Sequence, residues 1–181
     1  LFGVDGEITV ECNPSAVEED FFETVADAGV NRISLGVQSV IESERKKLGR
    51  FSDRELIEKR IIQCKSAGIE NISLDVMLGV QEQTQKSLSE TLDFCIASGA
   101  KHISAYMLKI EEGTTYYKKR DSLNLPDDDE VADMYLAMSE RLLSNGFEHY
   151  EISNFARQGY EGKHNLKYWN CEEYLGLGPS A

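Results

Sequence analysis

The sequence predicts an α/β protein whose parallel strands alternate with outer helices. Short apolar segments recur between longer segments that have helical periodicity. The joints between a helix and the next strand are short and contain glycine, as at Gly29, Gly68 and Gly99. This alternation is typical of a parallel sheet with right-handed crossovers. It fits both a doubly wound sheet and part of a (β/α) barrel, and the periodicity does not separate the two.

Each predicted element rests on its own local pattern. Predicted strands cover residues 8–12, 31–38, 71–78, 102–110 and 150–152. Predicted helices cover residues 17–28, 41–47, 53–67, 82–97 and 127–145. In the second strand Ile33, Leu35 and Val37 alternate with polar or small residues, as expected for a strand with one buried face. Ser15 is placed to cap the first helix, and the acidic segment from Asp127 starts the last one, where the helix dipole favours aspartate.

Composition excludes several classes of function. The chain has 181 residues, of which 41% are hydrophobic, and its net charge is −13. Because nucleic acids and anionic membranes attract basic patches, we expect neither as a partner. We also expect no integral membrane segment, since no apolar run approaches the roughly 20 residues that a membrane helix needs.

The cysteines indicate free thiols. Cys12, Cys64, Cys95 and Cys171 are widely and irregularly spaced, and no C-x-x-C motif is present. They therefore predict neither a zinc site nor an iron–sulfur site. Free thiols are typical of a cytosolic protein, so we expect a cytoplasmic location.

Polar side chains cluster where a parallel barrel carries its chemistry, at the carboxyl ends of the strands. They are Glu11, Asn13, Gln38, Ser39, Asp75, Tyr106, Lys109 and Glu111, with Arg50 after the short helix that follows the second strand. Each has a structural explanation when taken alone: Glu11 could be exposed, Gln38 could cap a backbone group, and Asp75 could bond a neighbouring strand. Together on one rim they predict a site, because buried polar groups are costly unless they have partners.

Eight short segments follow one another along the chain: E-C-N-P (11–14), R-I-S-L-G-V-Q-S (32–39), L-G-R (48–50), D-V-M-L-G (75–79), H-I-S-A-Y (102–106), I-E-E-G-T (110–114), Y-E-I-S-N-F-A (150–156) and H-N-L-K-Y-W (164–169). In this order they resemble the oxygen-independent coproporphyrinogen III oxidase (HemN/HemW) family of radical S-adenosylmethionine (SAM) proteins. The resemblance runs from near residue 7 to the end. The last two segments resemble most closely the haem-chaperone branch, the HemW type.

The resemblance implies a partial (β/α) radical SAM TIM-like barrel with parallel strands and outer helices. Residues 1–115 would form the barrel core, truncated at its N-terminus. Residues 116–181 would form the last barrel helix and strand and the start of a region specific to the family. A truncated barrel leaves an unpaired sheet edge, so we expect self-association through that edge.

The resemblance also implies cofactors. The family holds a [4Fe–4S] cluster on a C-x3-C-x2-C loop, and this loop is missing from the chain. We therefore expect no cluster ligands and no catalytic residues here, and an inactive polypeptide by itself. By resemblance, SAM would be contacted by Glu11, Gln38, Arg50, Asp75 and the backbone near Lys109. The chemistry fits, since carboxylates offset the sulfonium and ammonium charges of SAM and arginine binds its carboxylate.

His164 is the candidate haem ligand that the same resemblance implies. It begins the H-N-L-K-Y-W segment, in which Tyr168 and Trp169 could stack on a porphyrin. The alternative is structural: a buried aromatic pair that pins a loop, with His164 donating a hydrogen bond. Both interpretations stay open from the sequence.

Three functional hypotheses follow. The first is a haem chaperone that binds SAM and haem and passes haem to an acceptor protein. The second is an oxidoreductase, an oxygen-independent coproporphyrinogen III oxidase that forms protoporphyrinogen IX by oxidative decarboxylation. The third is a non-catalytic α/β scaffold. The H-N-L-K-Y-W segment favours the first, and the presence of Glu11, Gln38, Arg50 and Asp75 argues against the third.

Overall fold

The computed structural model describes residues 6–179, which form one sheet with helices along the chain between its strands. The strands are β1 (Thr9–Cys12), β2 (Arg32–Gln38), β3 (Asn71–Leu78), β4 (His102–Met107), β5 (Glu148–His149) and β6 (Asn154–Ala156). The helices are α1 (Phe21–Asp27), α2 (Glu42–Lys47), α3 (Arg54–Ser66), α4 (Gln85–Ala97), α5 (Thr115–Lys119), α6 (Asp128–Ser144) and α7 (Lys163–Trp169).

The sheet is mostly parallel, in the order β1-β2-β3-β4-β6-β5. The first four strands run parallel and in chain order, as the sequence predicts. Their register places Glu11 opposite Ser34, and it places Asp75 opposite both Gly36 and Ser104. Strand β1 lies at an edge of the described sheet. Self-association through this edge stays a prediction.

Alternation along the strands separates an apolar face from a polar one. The apolar side chains of the central strands that are almost fully buried are Ile33, Leu35, Val37, Ile72, Leu74, Val76, Leu78, Ile103 and Ala105. They form one cluster with helix residues such as Phe22, Ile57, Leu92 and Met138. Complete burial of a side chain of this size contributes roughly 1.5–3 kcal/mol. The helices therefore cover one face, and the opposite face is left to polar residues.

Several predicted elements are wrong in detail; the fourth strand, for example, ends at Met107 rather than at residue 110. The first helix begins at Phe21 after Asp20, so Ser15 does not cap it; the N–H and hydroxyl of Ser15 instead donate to Asn13 Oδ1 in a turn. Residues 150–152 form no strand, and residues 151–153 form a bend. The Glu151 carboxylate accepts from the Ser153 N–H and the Asn154 side-chain amide, which reverses the chain.

This reversal makes the last two strands antiparallel. β6 runs antiparallel to β4, and β5 runs antiparallel to β6. Strands from both sides of residue 115 thus belong to one sheet, and the division into 1–115 and 116–181 stays a prediction. In the part of the chain that the structure describes, every helix is too short or too polar to cross a bilayer.

Helix α6 provides a test of local stability. The Asp127 carboxylate accepts from Glu130 N at 2.8 Å, and the Glu130 carboxylate accepts from Asp127 N at 2.9 Å, which forms a reciprocal capping box. We predict that Asp127→Ala lowers the free energy of unfolding by about 1 kcal/mol. The exposed Asp133 of the same helix is the control, because Asp133→Ala removes a charge without removing a cap. Equal losses in urea denaturation of the two variants would contradict the capping role.

Candidate functional site: the polar face of the sheet

The face of the sheet opposite the helices carries polar side chains on every parallel strand. We call it the polar face; it consists of Thr9, Glu11, Arg32, Ser34, Gln38, Ser73, Asp75, His102, Ser104 and Tyr106. Side-chain contacts across it confirm the common orientation. Ser34 Oγ donates to Asp75 Oδ1 at 2.9 Å, and Ser73 Oγ lies 2.8 Å from His102 Nδ1. Two of the predicted site residues, Glu11 and Asp75, interact electrostatically there.

Asp75 has the most perturbed carboxyl group of the polar face. Its pKa is raised to about 6, chiefly by burial and also by the nearby Glu11 charge, whereas hydrogen bonds with Ser34 and Ser104 and the Arg32 charge act in the opposite direction. Burial dominates because it disfavours the charged form. A carboxyl with this pKa can hold or release a proton near neutral pH. When ionised, it can accept hydrogen bonds from a ligand hydroxyl or ammonium.

Gln38 reaches the polar face through an unusual backbone conformation. Its φ is +63°, in the left-handed region that non-glycine residues rarely occupy. The register between β2 and β3 shifts here, so that Val37 is an extra residue between Gly36 and Gln38. A Cβ at position 36 would lie 3.1 Å from Gln38 Nε2, so glycine leaves room for the Gln38 side chain. Such bulges redirect a side chain and are common beside active sites.

The Gln38 side chain is an unused hydrogen-bonding group. The residue is 8% exposed, and its Oε1 is buried without a hydrogen-bond partner among the described residues. A buried acceptor of this kind is costly unless something donates to it. The group therefore fits a ligand that brings an N–H or O–H donor to the polar face.

Arg50 and Lys109 lie elsewhere. Arg50 lines a cleft of about 410 Å³ with residues 42–55, on the segment that includes α2 and the turn before α3. Lys109 is exposed and its Nζ pairs with a Glu111 carboxylate oxygen at 2.7 Å, which raises the pKa of Lys109. The structure brings Glu11, Gln38 and Asp75 to one face, whereas the cleft lined by Arg50 contains no polar-face residue and Lys109 pairs with Glu111.

His164 lies on α7 and lines a cavity that reaches the polar face. This His164 cavity has a volume of about 400 Å³ and is lined by Glu7, Thr9, Glu11, Arg32, Gly162, His164 and Asn165. The Nε2 of His164 is 3.1 Å from the Tyr168 hydroxyl, and the two rings are nearly perpendicular. Tyr168 and Trp169 are 47% and 54% exposed, so they are not the buried aromatic pair that the structural interpretation requires.

Two residues of this face, His102 and Arg32, were not among the site residues that the sequence predicts. His102 is completely buried, and its Nε2 lies 2.8 Å from the Tyr150 hydroxyl, which accepts from Gly162 N at 3.1 Å. Burial, with the Arg32 charge, lowers the pKa of His102 to about 3, so it stays neutral. Arg32 is 7% exposed, and its Nε has no partner in the described part of the chain. The sequence feature that could have pointed to Arg32 is its charge within a strand of alternating polar and apolar residues.

Comparison with known proteins decides the family. The sequence model of the radical SAM superfamily matches residues 2–95, which is more than half of the chain. The chain belongs to the radical SAM superfamily. The partial barrel that the sequence predicts is thereby confirmed, together with the mostly parallel sheet.

Curated relatives narrow the likeness within the superfamily. The chain is 37% identical over 177 residues to the heme chaperone HemW of Lactococcus lactis, covering 97% of this chain and 47% of that protein. It is also 37% identical over 177 residues to the heme chaperones HemW of Bacillus subtilis (97% of this chain, 47% of that protein) and Escherichia coli (98% and 46%). The chain spans about half the length of these relatives.

Solved structures support the radical SAM fold. Coproporphyrinogen III oxidase (HemN) from Escherichia coli superposes with a TM-score of 0.79 at 22% identity, over 93% of this chain and 39% of that one. The archaeal Elp3 of Methanocaldococcus infernus superposes with a TM-score of 0.61 at 18% identity, over 73% of this chain and 32% of that one. At these identities the likeness concerns the fold alone.

Radical SAM membership implies SAM and a [4Fe–4S] cluster, and the described residues fit only the first. Burial raises the pKa of Cys12 to about 11 and those of Cys64 and Cys95 to about 12, which opposes the thiolate form that iron requires. Cys171 is exposed. Within residues 6–179 no group of three or more His, Cys, Asp or Glu could hold a metal ion. The described residues therefore do not fit a [4Fe–4S] cluster.

SAM fits the polar face on the chemistry of its donor set. Glu11 and Asp75 supply carboxylates for a cationic ligand, and Gln38 supplies a buried acceptor without a partner. SAM carries a sulfonium, an ammonium, hydroxyls and an amine, all of which suit such groups.

The raised pKa of Asp75 predicts a pH-dependent stability difference. Because the folded state holds the Asp75 proton more tightly than the unfolded chain, ionisation of this carboxyl destabilises the fold above pH 6. The side chain in Asp75→Asn is neutral at every pH. We therefore predict that its free energy of unfolding at pH 8 exceeds that of the wild type by roughly 1–3 kcal/mol.

This advantage should decrease as the pH falls from 6 toward 4 and be absent below the ordinary aspartate pKa. Urea denaturation of both proteins across this range measures it. Asp53→Asn would lose an N-cap carboxylate and should show no such gain at pH 8. A difference between Asp75→Asn and wild type that does not depend on pH would contradict the raised pKa.

Proposed function

We propose that the protein is a radical SAM-type haem chaperone, which binds SAM on the polar face and haem at His164. One observation carries the proposal: Glu11 and His164 line the same cavity, so the two candidate ligand sites are contiguous. The identity to curated heme chaperones over nearly the whole chain supports it.

For SAM, we propose contacts that follow the chemistry of each group. Asp75 and Glu11 would accept hydrogen bonds from the ligand and offset its positive charge, and Gln38 Oε1 would accept from an N–H or O–H. Arg50 would bind the SAM carboxylate and the backbone near Lys109 would complete the pocket. Since these two residues lie away from the polar face, SAM would have to extend beyond it, or their segments would have to close over it.

For haem, we propose that His164 is the iron ligand. It lines the cavity on the exposed surface of α7, and among residues 6–179 the partner of its Nε2 is the Tyr168 hydroxyl. The half-exposed rings of Tyr168 and Trp169 offer apolar surface for a porphyrin face. Tyr174 stacks edge-on against Tyr168 with ring centroids 4.7 Å apart and extends this aromatic surface.

The proposal includes partners and a location. A chaperone would release haem to an acceptor protein, and the sheet edge at β1 would be the surface for self-association. The net charge of −13 supports a protein partner rather than a nucleic acid. The four free cysteines support a cytoplasmic location.

Haem titration of the full-length protein tests the proposal. We predict stoichiometric haem binding, seen as a Soret absorbance change, with affinity reduced at least about tenfold in His164→Ala, which corresponds to about 1.4 kcal/mol. His149→Ala is the matched control, because it removes an imidazole that stacks on Phe155 at 4.3 Å and does not line the His164 cavity.

An assay of coproporphyrinogen decarboxylation, performed in parallel, separates the alternatives. Haem binding that depends on His164, without decarboxylation, supports the chaperone. Decarboxylation without specific haem binding would assign the protein to the oxidases instead. Neither activity, together with no SAM binding, would leave only a non-catalytic scaffold.

A further inference from the structure

The turn at the end of β2 is the most strained backbone of the polar face. Ser39 N donates to Val37 O at 2.8 Å, which closes a three-residue γ-turn around Gln38 at φ +63°. The left-handed form of this turn is rare because it crowds the side chain of its central residue. A conformation of this kind persists only where the surrounding structure determines it, and such positions concentrate at ligand sites.

Ser39, the residue after the turn, is held from several sides. It is completely buried, and its hydroxyl donates to Glu44 Oε2 at 2.6 Å while accepting from Ile41 N at 2.9 Å. Its carbonyl accepts from Arg45 Nη1 at 3.0 Å. The hydroxyl, the carbonyl and the N–H of this one residue are therefore all engaged, which fixes the peptide that follows Gln38.

Glu44 links this turn to the neighbouring strand. The residue is only 2% exposed, and its Oε2 also accepts from Gln83 Nε2 at 3.4 Å. Gln83 in turn donates to Met77 O at 2.9 Å and accepts from Gly79 N at 2.8 Å, at the end of β3. Thr91 of α4 accepts from Val40 N at 3.2 Å and closes the network. We call Ser39, Glu44, Gln83 and Thr91 the Ser39 network.

Stability of the loop alone does not explain a buried carboxylate in the Ser39 network. Burying a carboxylate is costly, and Glu44 makes no ion pair within 4.0 Å among the described residues. Outside the network itself, the group that the turn directs is the Gln38 side chain. Its Oε1 is buried without a hydrogen-bond partner among the described residues. A fully satisfied buried network beside an unsatisfied acceptor indicates a group that is held ready for a ligand.

We infer that Glu44 is a positioning residue, which acts through Ser39 to hold Gln38 in the γ-turn that presents its side-chain oxygen to SAM. The inference rests on the proposed SAM site and adds to it a residue that does not touch the ligand. This one role accounts for the buried Glu44 carboxylate, the left-handed backbone conformation of Gln38 and the unpaired Gln38 Oε1. Preorganisation of this kind raises affinity because the bound geometry already exists in the free protein.

The test measures the turn and the ligand separately, in the full-length protein. Amide hydrogen exchange of Ser39 reports the γ-turn hydrogen bond, and isothermal titration with SAM reports affinity. We expect Glu44→Leu to speed amide exchange at Ser39 about tenfold and to weaken SAM binding about tenfold. This factor is at the low end of the losses seen when a group that orients a ligand-binding residue is removed. Glu44→Gln keeps an acceptor oxygen for Ser39 and should restore most of both.

Glu90→Leu is the matched control, because it makes the same chemical change on the exposed surface of α4, beside Thr91. Neither measurement should change in this variant. If Glu44→Leu fails to fold, Ser39→Ala breaks the same hydrogen bond from the other partner and should give the same two changes.

Each adverse result has a separate meaning. Unchanged Ser39 exchange in a folded Glu44→Leu protein would overturn the role of Glu44 in holding the turn. Faster exchange with unchanged SAM affinity would overturn the link between the turn and the ligand. No SAM binding by the wild type would overturn the proposed SAM site itself, and the exchange measurement distinguishes this case because it needs no ligand.

Discussion

The two-residue alternation of the four parallel strands is the constraint on which the rest of the molecule depends. Residues such as Leu35 and Leu74 must face the helices to be buried, so their neighbours Ser34 and Asp75 must face the other way. A shift of one residue in register would exchange the two faces and expose the core. The polar face therefore follows from the burial of the apolar face, and the candidate site exists because the core is formed.

At Gln38 the structure departs from this alternation, and the departure coincides with the site. An uninterrupted strand would continue regular pairing, whereas the bulge and the γ-turn redirect the chain and bring an amide to the polar face. Buried hydrogen bonds of Ser39 with Glu44 and Arg45 lie directly beside this conformation. The strained residue thus lies at the end of β2, and the residues that bond to its neighbour lie in α2, the next helix.

The sequence predicts the regular part of the fold well, for a physical reason. The strand of Ile33, Leu35 and Val37 and the helix capped by Asp53 are each specified by neighbouring residues, so local patterns suffice. The bend at 151–153 was missed because a side chain, that of Glu151, outcompetes the strand pattern for the backbone amides. The conformation of Gln38 could not be predicted from a local pattern, because the segment around it also contacts residues distant in sequence, as Val40 does with Thr91.

The same distinction between local patterns and distant packing applies to the candidate site. Glu11, Gln38 and Asp75 come together because strand register fixes them. Arg50 follows α2 and Lys109 follows β4, both in loops whose direction depends on packing that a strand pattern does not contain. Arg32 and His102 were missed as participants because each lies in a strand, where polar residues are expected to be partnered by neighbours.

A crystal structure of the full-length protein with SAM tests the central claim most directly. The account predicts SAM against the polar face, with Gln38 Oε1 accepting a hydrogen bond from it, Asp75 in contact with it, and the left-handed conformation of Gln38 unchanged from the free protein. SAM bound away from this face, or another protein group satisfying Gln38 Oε1 in the complex, would contradict the account.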